Sequence, residues 1–140
     1  GFFSYYFYSK PANPVDCIEN SKNAISYYKS SKKINLILND FLTYNFKKKY
    51  NVIIADAVIQ YFDKKTIDSF IEKSVKCLKA DGIFTGMTVK RRKDNKKISH
   101  HKYEFKSKQE LYSYLKKFFK TVEIIEPKFL DRSELYFKCK

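Results

Sequence analysis

The chain has 140 residues, of which 44% are hydrophobic and 18% aromatic, and its formal net charge at pH 7 is +14. This length fits a single domain over residues 1–140, and this hydrophobic content excludes a disordered chain. The apolar runs are too short to cross a membrane, and no charged start followed by an apolar stretch marks a signal peptide. We therefore expect a cytoplasmic protein with no membrane partner.

The strong positive charge has two explanations. A basic chain is expected to bind nucleic acid or another anionic surface. However, Lys, Asn, Ile, Tyr and Phe are abundant, whereas the chain has three Gly, three Pro and no Trp. That composition is expected from an AT-rich genome, and the lysines are spread over most of the chain. We favour this compositional explanation, so nucleic acid is a possible but not a favoured partner.

The cysteines and histidines argue against two kinds of site. The three cysteines, Cys17, Cys77 and Cys139, are odd in number and widely spaced, which suits reduced thiols in a cytosolic protein. No Cys-x-x-Cys spacing occurs, and the two histidines, His100 and His101, are adjacent. The sequence therefore predicts no metal site.

Strand and helix signals alternate along the first half of the chain. The aromatic segment at residues 2–8 precedes Pro11 and Pro14, which stop a helix. Val15–Glu19 is predicted as a strand, and Ser21 as the N-cap of a helix that reaches about residue 30. Its apolar face would contain Ala24, Ile25 and Tyr28. Ile34–Leu38 is the second predicted strand.

The second half begins with an apolar strand at residues 52–56, the pattern of a strand covered on both faces. Asp63 then begins a helix that Asp81 and Gly82 are predicted to end. Apolar residues recur in it at helical spacing: Ile67, Phe70, Ile71, Val75 and Leu78. A fourth strand is predicted at residues 83–89.

A polar connection at residues 90–101 leads to the last elements, and six of its first eight residues are basic. Such a run contacts phosphates or an acidic acceptor, or it is a solvated loop, which is the more usual explanation. Ser107 and Glu110 predict a capping box. The helix behind it would bury Leu111, Tyr114, Leu115 and Phe118. Residues 122–125 and 135–137 are predicted as the last strands, joined by a loop that contains Pro127.

Five segments, in this order and at this spacing, resemble the class I methyltransferases that use S-adenosylmethionine. Residues 1–4 are similar to the end of the family's glycine-rich loop, and residues 15–21 to its second strand with the terminal acid. Residues 39–41 and 50–61 are similar to the acid after the third strand and to the fourth strand. Residues 78–84 resemble the Leu-Lys-Pro-Gly-Gly turn before the fifth strand.

This resemblance implies an α/β fold with a doubly wound, Rossmann-like, mostly parallel sheet whose last strand is antiparallel. Family members have a central strand and a glycine-rich turn upstream of the matched segments. That first, central strand is missing from this chain. We therefore expect the chain to be the carboxyl-terminal portion of a methyltransferase domain.

The resemblance also implies S-adenosyl-L-methionine as the cofactor. Gly1 matches the last glycine of the loop. Glu19 would accept hydrogen bonds from the ribose hydroxyls, Asp40 from the adenine amino group, and the Phe41 N–H would meet a ring nitrogen. Simpler structural explanations are a helix-entry charge for Glu19 and a turn aspartate for Asp40.

Asp56 and Ala57 match the end of the family's fourth strand and would lie near the methionine part of the cofactor. The structural alternative is that Asp56 only terminates a strand. Methyl transfer needs alignment of the acceptor with the sulfonium and sometimes a base. His100 and His101 are weak candidates for that base, because a surface histidine pair is the more usual explanation. Gln60 and Tyr61 are candidates to shape the acceptor pocket.

The predicted function is S-adenosylmethionine-dependent methyl transfer to a small-molecule acceptor. An RNA methyltransferase is the alternative that the charge favours. Two further alternatives are a non-catalytic basic module that binds nucleic acid and an inactive methyltransferase fragment.

Overall fold

The computed structural model of the protein describes residues 14–27, 34–92, 98–129 and 132–140. The chain divides into two compact units, Gly1–Asn45 and Phe46–Lys140. The described elements are β1 (Val15–Glu19), α1 (Lys22–Ser26), β2 (Ile34–Leu38), β3 (Tyr50–Asp56), a 3₁₀ helix (Ile59–Tyr61), α2 (Lys64–Cys77), β4 (Leu78–Val89), α3 (Lys108–Leu115), β5 (Val122–Ile125) and β6 (Glu134–Cys139).

The first unit contains a parallel pair of strands, β1 and β2, with Glu19 opposite Leu38. Both strands have the predicted bounds. Ser21 is the predicted N-cap of α1, and its Oγ accepts a hydrogen bond from the Ala24 N–H at 3.2 Å. The helix ends at Ser26, earlier than predicted, and the predicted continuation over residues 28–30, with Tyr28, lies outside the described residues.

The second unit contains a four-stranded sheet in the order β3-β4-β6-β5. The β3–β4 pairing is parallel, whereas β6 is antiparallel to both of its neighbours, β4 and β5. Strand β6, the last in the chain, is therefore antiparallel to the other three strands of this sheet. This arrangement confirms the predicted α/β sheet with an antiparallel last strand.

The pairing of β3 with β4 depends on a close approach at Gly86. Ala55 lies opposite Gly86, and a Cβ atom added to Gly86 would lie 2.0 Å from the Ala55 carbonyl oxygen. It would also lie 2.9 Å from the Phe137 ring. Only glycine fits between the Ala55 backbone and the Phe137 side chain without a shift of one of them.

The end of α2 differs from the prediction. The helix ends at Cys77, and β4 begins directly at Leu78, which pairs with Tyr50. The next pairing joins Val52 to Ile83, so residues 79–82 form an irregularity within β4. The prediction that Asp81 and Gly82 end the helix is therefore wrong, because extended pairing with β3 begins before them.

The prediction that β3 is covered on both faces is also wrong. Val52 and Ile54 are 44% and 42% exposed, whereas Ala55 is only 1% exposed. Side chains alternate between the faces of a strand, so one face of β3 packs and the other is open. In the described sheet β3 is an edge strand.

The core of the second unit is built around Phe84, which is fully buried on β4. Its ring stacks on Phe119 with centroids 5.5 Å apart and lies 5.2 Å from Phe137 and 6.3 Å from Phe70. The predicted α2 positions Ile67, Phe70 and Ile71 are buried, as expected from helical spacing. Val75, which was predicted for the same apolar face, is 38% exposed.

Helix α3 begins at the predicted cap, but only half of the capping box forms. Ser107 Oγ accepts a hydrogen bond from the Glu110 N–H at 3.1 Å. The Glu110 carboxylate instead accepts from the Lys106 N–H and from the Tyr103 hydroxyl. Burial, together with this contact to Glu110, raises the pKa of Tyr103 to about 12.

Cys77 and Cys139 are buried free thiols. Burial raises the pKa of Cys139 to about 12, so this thiol stays protonated at neutral pH. Within the described ranges, no helix combines the length and the apolar content needed to cross a membrane. Those ranges also hold no group of three or more His, Cys, Asp and Glu side chains placed to hold a metal ion.

We predict that Gly86→Ala lowers the free energy of unfolding by about 1–3 kcal/mol, because the new methyl group must displace Ala55 or Phe137. Urea denaturation of the variant measures this loss. Lys79→Ala, at an exposed position of the same strand, is the control and should stay within about 0.5 kcal/mol of the parent protein. Equal stability of the two variants would contradict the close approach at Gly86.

Candidate functional site

Two of the predicted cofactor residues lie at one edge of the β1–β2 sheet. Glu19 is the last residue of β1, and Asp40 follows the end of β2 by two residues. The strands are parallel, and the Asn39 N–H donates to the Glu19 carbonyl oxygen at 3.0 Å. Both acids therefore lie at the carboxyl edge, where open α/β sheets bind their ligands.

Each of these carboxylates uses one oxygen in a local hydrogen bond. Glu19 Oε1 accepts from the Ser21 N–H at 3.0 Å, and Asp40 Oδ1 accepts from the Leu42 N–H at 2.6 Å. Asp40 thus has the role of a turn aspartate. The second oxygen of each carboxylate has no hydrogen-bond partner within the described part of the chain, so it is available to a ligand. Phe41, half-buried, follows Asp40 in the same turn.

Asp56 and Ala57 lie at the carboxyl end of β3. Asp56 is half-buried opposite Met87, and its pKa is raised by burial, with a further contribution from the Glu134 carboxylate. Ala57 has a φ of 52°, in the left-handed region, and its N–H donates to the Met87 carbonyl oxygen at 3.0 Å. This conformation costs a residue with a side chain about 1–2 kcal/mol. Such strain is found most often at functional sites.

A loop after β4 is attached to the segment that follows β3. The Gln60 carbonyl oxygen accepts hydrogen bonds from the N–H groups of Lys102 and Tyr103, at 2.8 and 3.2 Å. The Gln60 side chain is buried and accepts from the Thr88 hydroxyl at 3.4 Å. On the other side of the loop, the Phe105 carbonyl oxygen accepts from the Arg91 N–H at 2.8 Å. Gln60 therefore fixes the position of residues 98–105.

The two adjacent histidines have different surroundings. His100 is exposed, as a surface pair would be, but His101 is only 5% exposed. His101 Nδ1 lies 2.6 Å from Oε1 of Glu104, which is 2% exposed. The surface-pair interpretation thus fails for His101. Glu104 cannot be recognised from the sequence, because its spacing of three residues from His101 is informative only if His101 is known to be buried.

Tyr61 completes this group of rings. It stacks on His100 with ring centroids 5.6 Å apart and meets His101 edge-on at 5.3 Å. Its side chain remains 43% exposed. Tyr61 and the two histidines form an aromatic cluster that begins five residues after Asp56.

Two candidates have little structural support. Gly1 and residues 93–97 of the basic run lie outside the described residues. At the start of that run, the Lys90 ammonium forms an ion pair with the Glu126 carboxylate, and the Lys90 N–H donates to the Ser133 carbonyl oxygen. Lys90 is therefore already paired with an acid within the chain.

Solved structures share this fold. The DhpI–SAH complex is 14% identical and matches with a TM-score of 0.76, over 100% of this chain and 71% of that one. TehB from Haemophilus influenzae is 15% identical, with a TM-score of 0.74, and the match covers 98% of this chain and 52% of TehB. A third match is the N-methyltransferase NodS from Bradyrhizobium japonicum WM9 in complex with S-adenosyl-L-homocysteine. It is 14% identical, with a TM-score of 0.66, and the match covers 90% of this chain and 65% of NodS.

The sequence comparisons are negative: no protein-family model matches the chain, and no curated protein does. The structural matches show that the chain has the fold of the class I S-adenosylmethionine-dependent methyltransferases, as the sequence segments predicted. The chain spans between about half and three-quarters of the length of the three structures described above.

We predict that Ala57→Gly leaves the free energy of unfolding unchanged or raises it by up to about 1 kcal/mol. The substitution relieves the left-handed strain of about 1–2 kcal/mol, and this gain is partly offset by the greater freedom of glycine in the unfolded chain. Ala55→Gly is the matched control, since it removes the same methyl group from a buried, extended position and should be destabilising. Urea denaturation of both variants checks this, and an equal loss of stability in both would contradict strain at Ala57.

Proposed function

We propose that the protein binds S-adenosyl-L-methionine and transfers its methyl group to a small-molecule acceptor. The observation that carries the proposal is the position of Glu19, Asp40 and Asp56, each at or just beyond the carboxyl end of a parallel strand. The methyltransferase-type fold supports it. So do the matched complexes that contain SAH, S-adenosyl-L-homocysteine or SAM.

The first unit supplies the contacts to the nucleoside. The second oxygen of Glu19 accepts from the ribose hydroxyls, while the bond from the Ser21 N–H holds the carboxylate in place. Asp40 accepts from the adenine amino group, and the Phe41 N–H donates to a ring nitrogen. A hydrogen bond to a charged acceptor contributes about 1.5–3 kcal/mol.

The second unit supplies the contacts to the methionine part. The Asp56 carboxylate and the Ala57 backbone, held in its left-handed turn, face the ammonium group of the amino acid. Burial raises the pKa of Asp56, and a bound ammonium would offset this effect by stabilising the carboxylate. Gly1 is proposed to contact the cofactor as the last glycine of the loop.

A small-molecule acceptor fits the aromatic cluster that begins five residues after Asp56, because the cluster offers an exposed ring surface at Tyr61. The net charge of +14 instead favours an RNA acceptor, or a basic module that binds nucleic acid without catalysis. Binding to RNA would weaken steeply with added salt. Methyl transfer to a small molecule would not show this steep dependence on salt.

We predict that Glu19→Gln and Asp40→Asn each weaken binding of S-adenosyl-L-methionine about tenfold to a hundredfold, since each removes the charge from one acceptor. Calorimetric titration of the cofactor into the protein measures the change. Asp81→Asn, at an exposed position of β4, is the matched control and should leave the affinity unchanged.

If the parent protein shows no heat of cofactor binding at any salt concentration, the proposed function is wrong. If it binds the cofactor and all three variants bind equally well, the roles of Glu19 and Asp40 are wrong, but the methyltransferase proposal stands.

A further inference from the structure

One row of side chains crosses the second sheet at the end of β3. Asp56 lies opposite Met87 on β4, and Met87 lies opposite Tyr136 on β6. Residues that lie opposite each other on neighbouring strands point to the same face of a sheet. Asp56 shares its face of β3 with Val52 and Ile54, which are 44% and 42% exposed. Asp56, Met87 and Tyr136 therefore form a row on the open face of the sheet.

Glu134 lies on this face as well, because it precedes Tyr136 by two residues in the same strand. Strand β6 is antiparallel to β4, so its first residue, Glu134, lies at the edge where β3 and β4 end. Glu134 is only 7% exposed. The carboxyl edge that carries Asp56 therefore carries a second, more deeply buried carboxylate.

Two neighbours hold the Glu134 carboxylate in place. Its Oε2 atom accepts a hydrogen bond from the Tyr136 hydroxyl at 2.8 Å, and its Oε1 atom lies 3.4 Å from Nε of Arg132. The Arg132 side chain is 56% exposed, and its guanidinium carbon lies 4.3 Å from the ring centroid of Phe129. Water screens an exposed cation strongly, so Arg132 neutralises the charge of Glu134 only in part.

The charges of Glu134 and Asp56 lie within electrostatic range of each other. Burial raises the pKa of Asp56, and the Glu134 carboxylate adds to this effect. The pKa of Tyr136 is raised mainly by its hydrogen bond to Glu134 and by burial, with a smaller contribution from Asp56. Two like charges at this separation repel each other, and a cation beside them relieves the repulsion. A cation bound at Asp56 would therefore be stabilised by Glu134 too.

We propose that Glu134 is a positioning residue of the cofactor site, whose negative charge strengthens the binding of the cofactor's ammonium group at Asp56. This inference rests on the proposed function, which places the ammonium there. Glu134 acts without touching the cofactor, since Tyr136 and Arg132 already engage its two oxygens. Its effect is the attraction between two charges in a poorly solvated part of the protein. Arg132 has the opposite effect, because it adds a positive charge.

The test compares two ligands that differ in one group. The first is S-adenosyl-L-homocysteine, and the second is its deaminated analogue, in which a hydrogen atom replaces the amino group. We expect Glu134→Gln to weaken binding of S-adenosyl-L-homocysteine about threefold to tenfold, because a negative charge is lost near the ammonium. Binding of the deaminated analogue should not weaken. Calorimetric titration of both ligands into the parent protein and the variant measures the two changes.

Two further variants separate electrostatics from structure. Arg132→Gln removes a positive charge from the same neighbourhood and should strengthen binding of S-adenosyl-L-homocysteine about twofold. Glu123→Gln is the matched control, since it makes the same change on β5 at a side chain that is 64% exposed and 3.9 Å from the Lys138 ammonium. It should leave the affinity for both ligands unchanged.

Three results would overturn the inference while leaving the proposed function intact. One is an equal loss of affinity for both ligands in Glu134→Gln, which indicates a structural role. The second is an unchanged affinity of this variant for S-adenosyl-L-homocysteine. The third is an Arg132→Gln variant that binds S-adenosyl-L-homocysteine as weakly as Glu134→Gln does, because the ion pair would then act as a structural unit.

Arg132→Gln decides the question by itself if Glu134→Gln does not fold. Tighter binding of S-adenosyl-L-homocysteine supports the inference, and unchanged or weaker binding overturns it. A parent protein that binds neither ligand would overturn the proposed function, and this inference with it.

Discussion

The parallel pairing of β3 with β4 positions every catalytic candidate of the second unit. It requires glycine at position 86, because the Ala55 carbonyl oxygen occupies the place of a side chain there. This register puts Asp56 opposite Met87 and lets the Ala57 N–H reach the Met87 carbonyl oxygen. The chain then enters the 3₁₀ helix, whose Gln60 holds the loop with His101. A change in the β3–β4 register would therefore move all of these groups together.

The second unit contains acidic groups in poorly solvated positions. Burial raises the pKa of Asp56, and the neighbouring Glu134 carboxylate adds to the effect. Glu104 is buried more deeply still and faces His101. Buried charge pairs contribute little to stability on balance, because desolvation offsets their attraction. The ammonium group of the proposed cofactor would offset this cost at Asp56 by stabilising its carboxylate.

Local signals were enough to predict most of the secondary structure, and long-range contacts account for the errors. Ser21 and Ser107 were predicted as helix caps and Asp63 as the start of a helix, because these signals lie within one turn. All three side chains accept a capping N–H. The end of α2 was wrong because Leu78 pairs with a strand almost thirty residues away. The role of Glu104 was missed because the sequence does not show that His101 is buried.

The proposed binding of S-adenosyl-L-methionine at the carboxyl ends of β1, β2 and β3 can be mapped residue by residue. Backbone amide chemical shifts are followed during a titration of the protein with S-adenosyl-L-homocysteine. We expect the largest changes at Glu19, at Asp40 and Phe41, and at Asp56 and Ala57, with little change at Lys79 or in α3. Saturable binding whose shift changes avoid these three segments would contradict it.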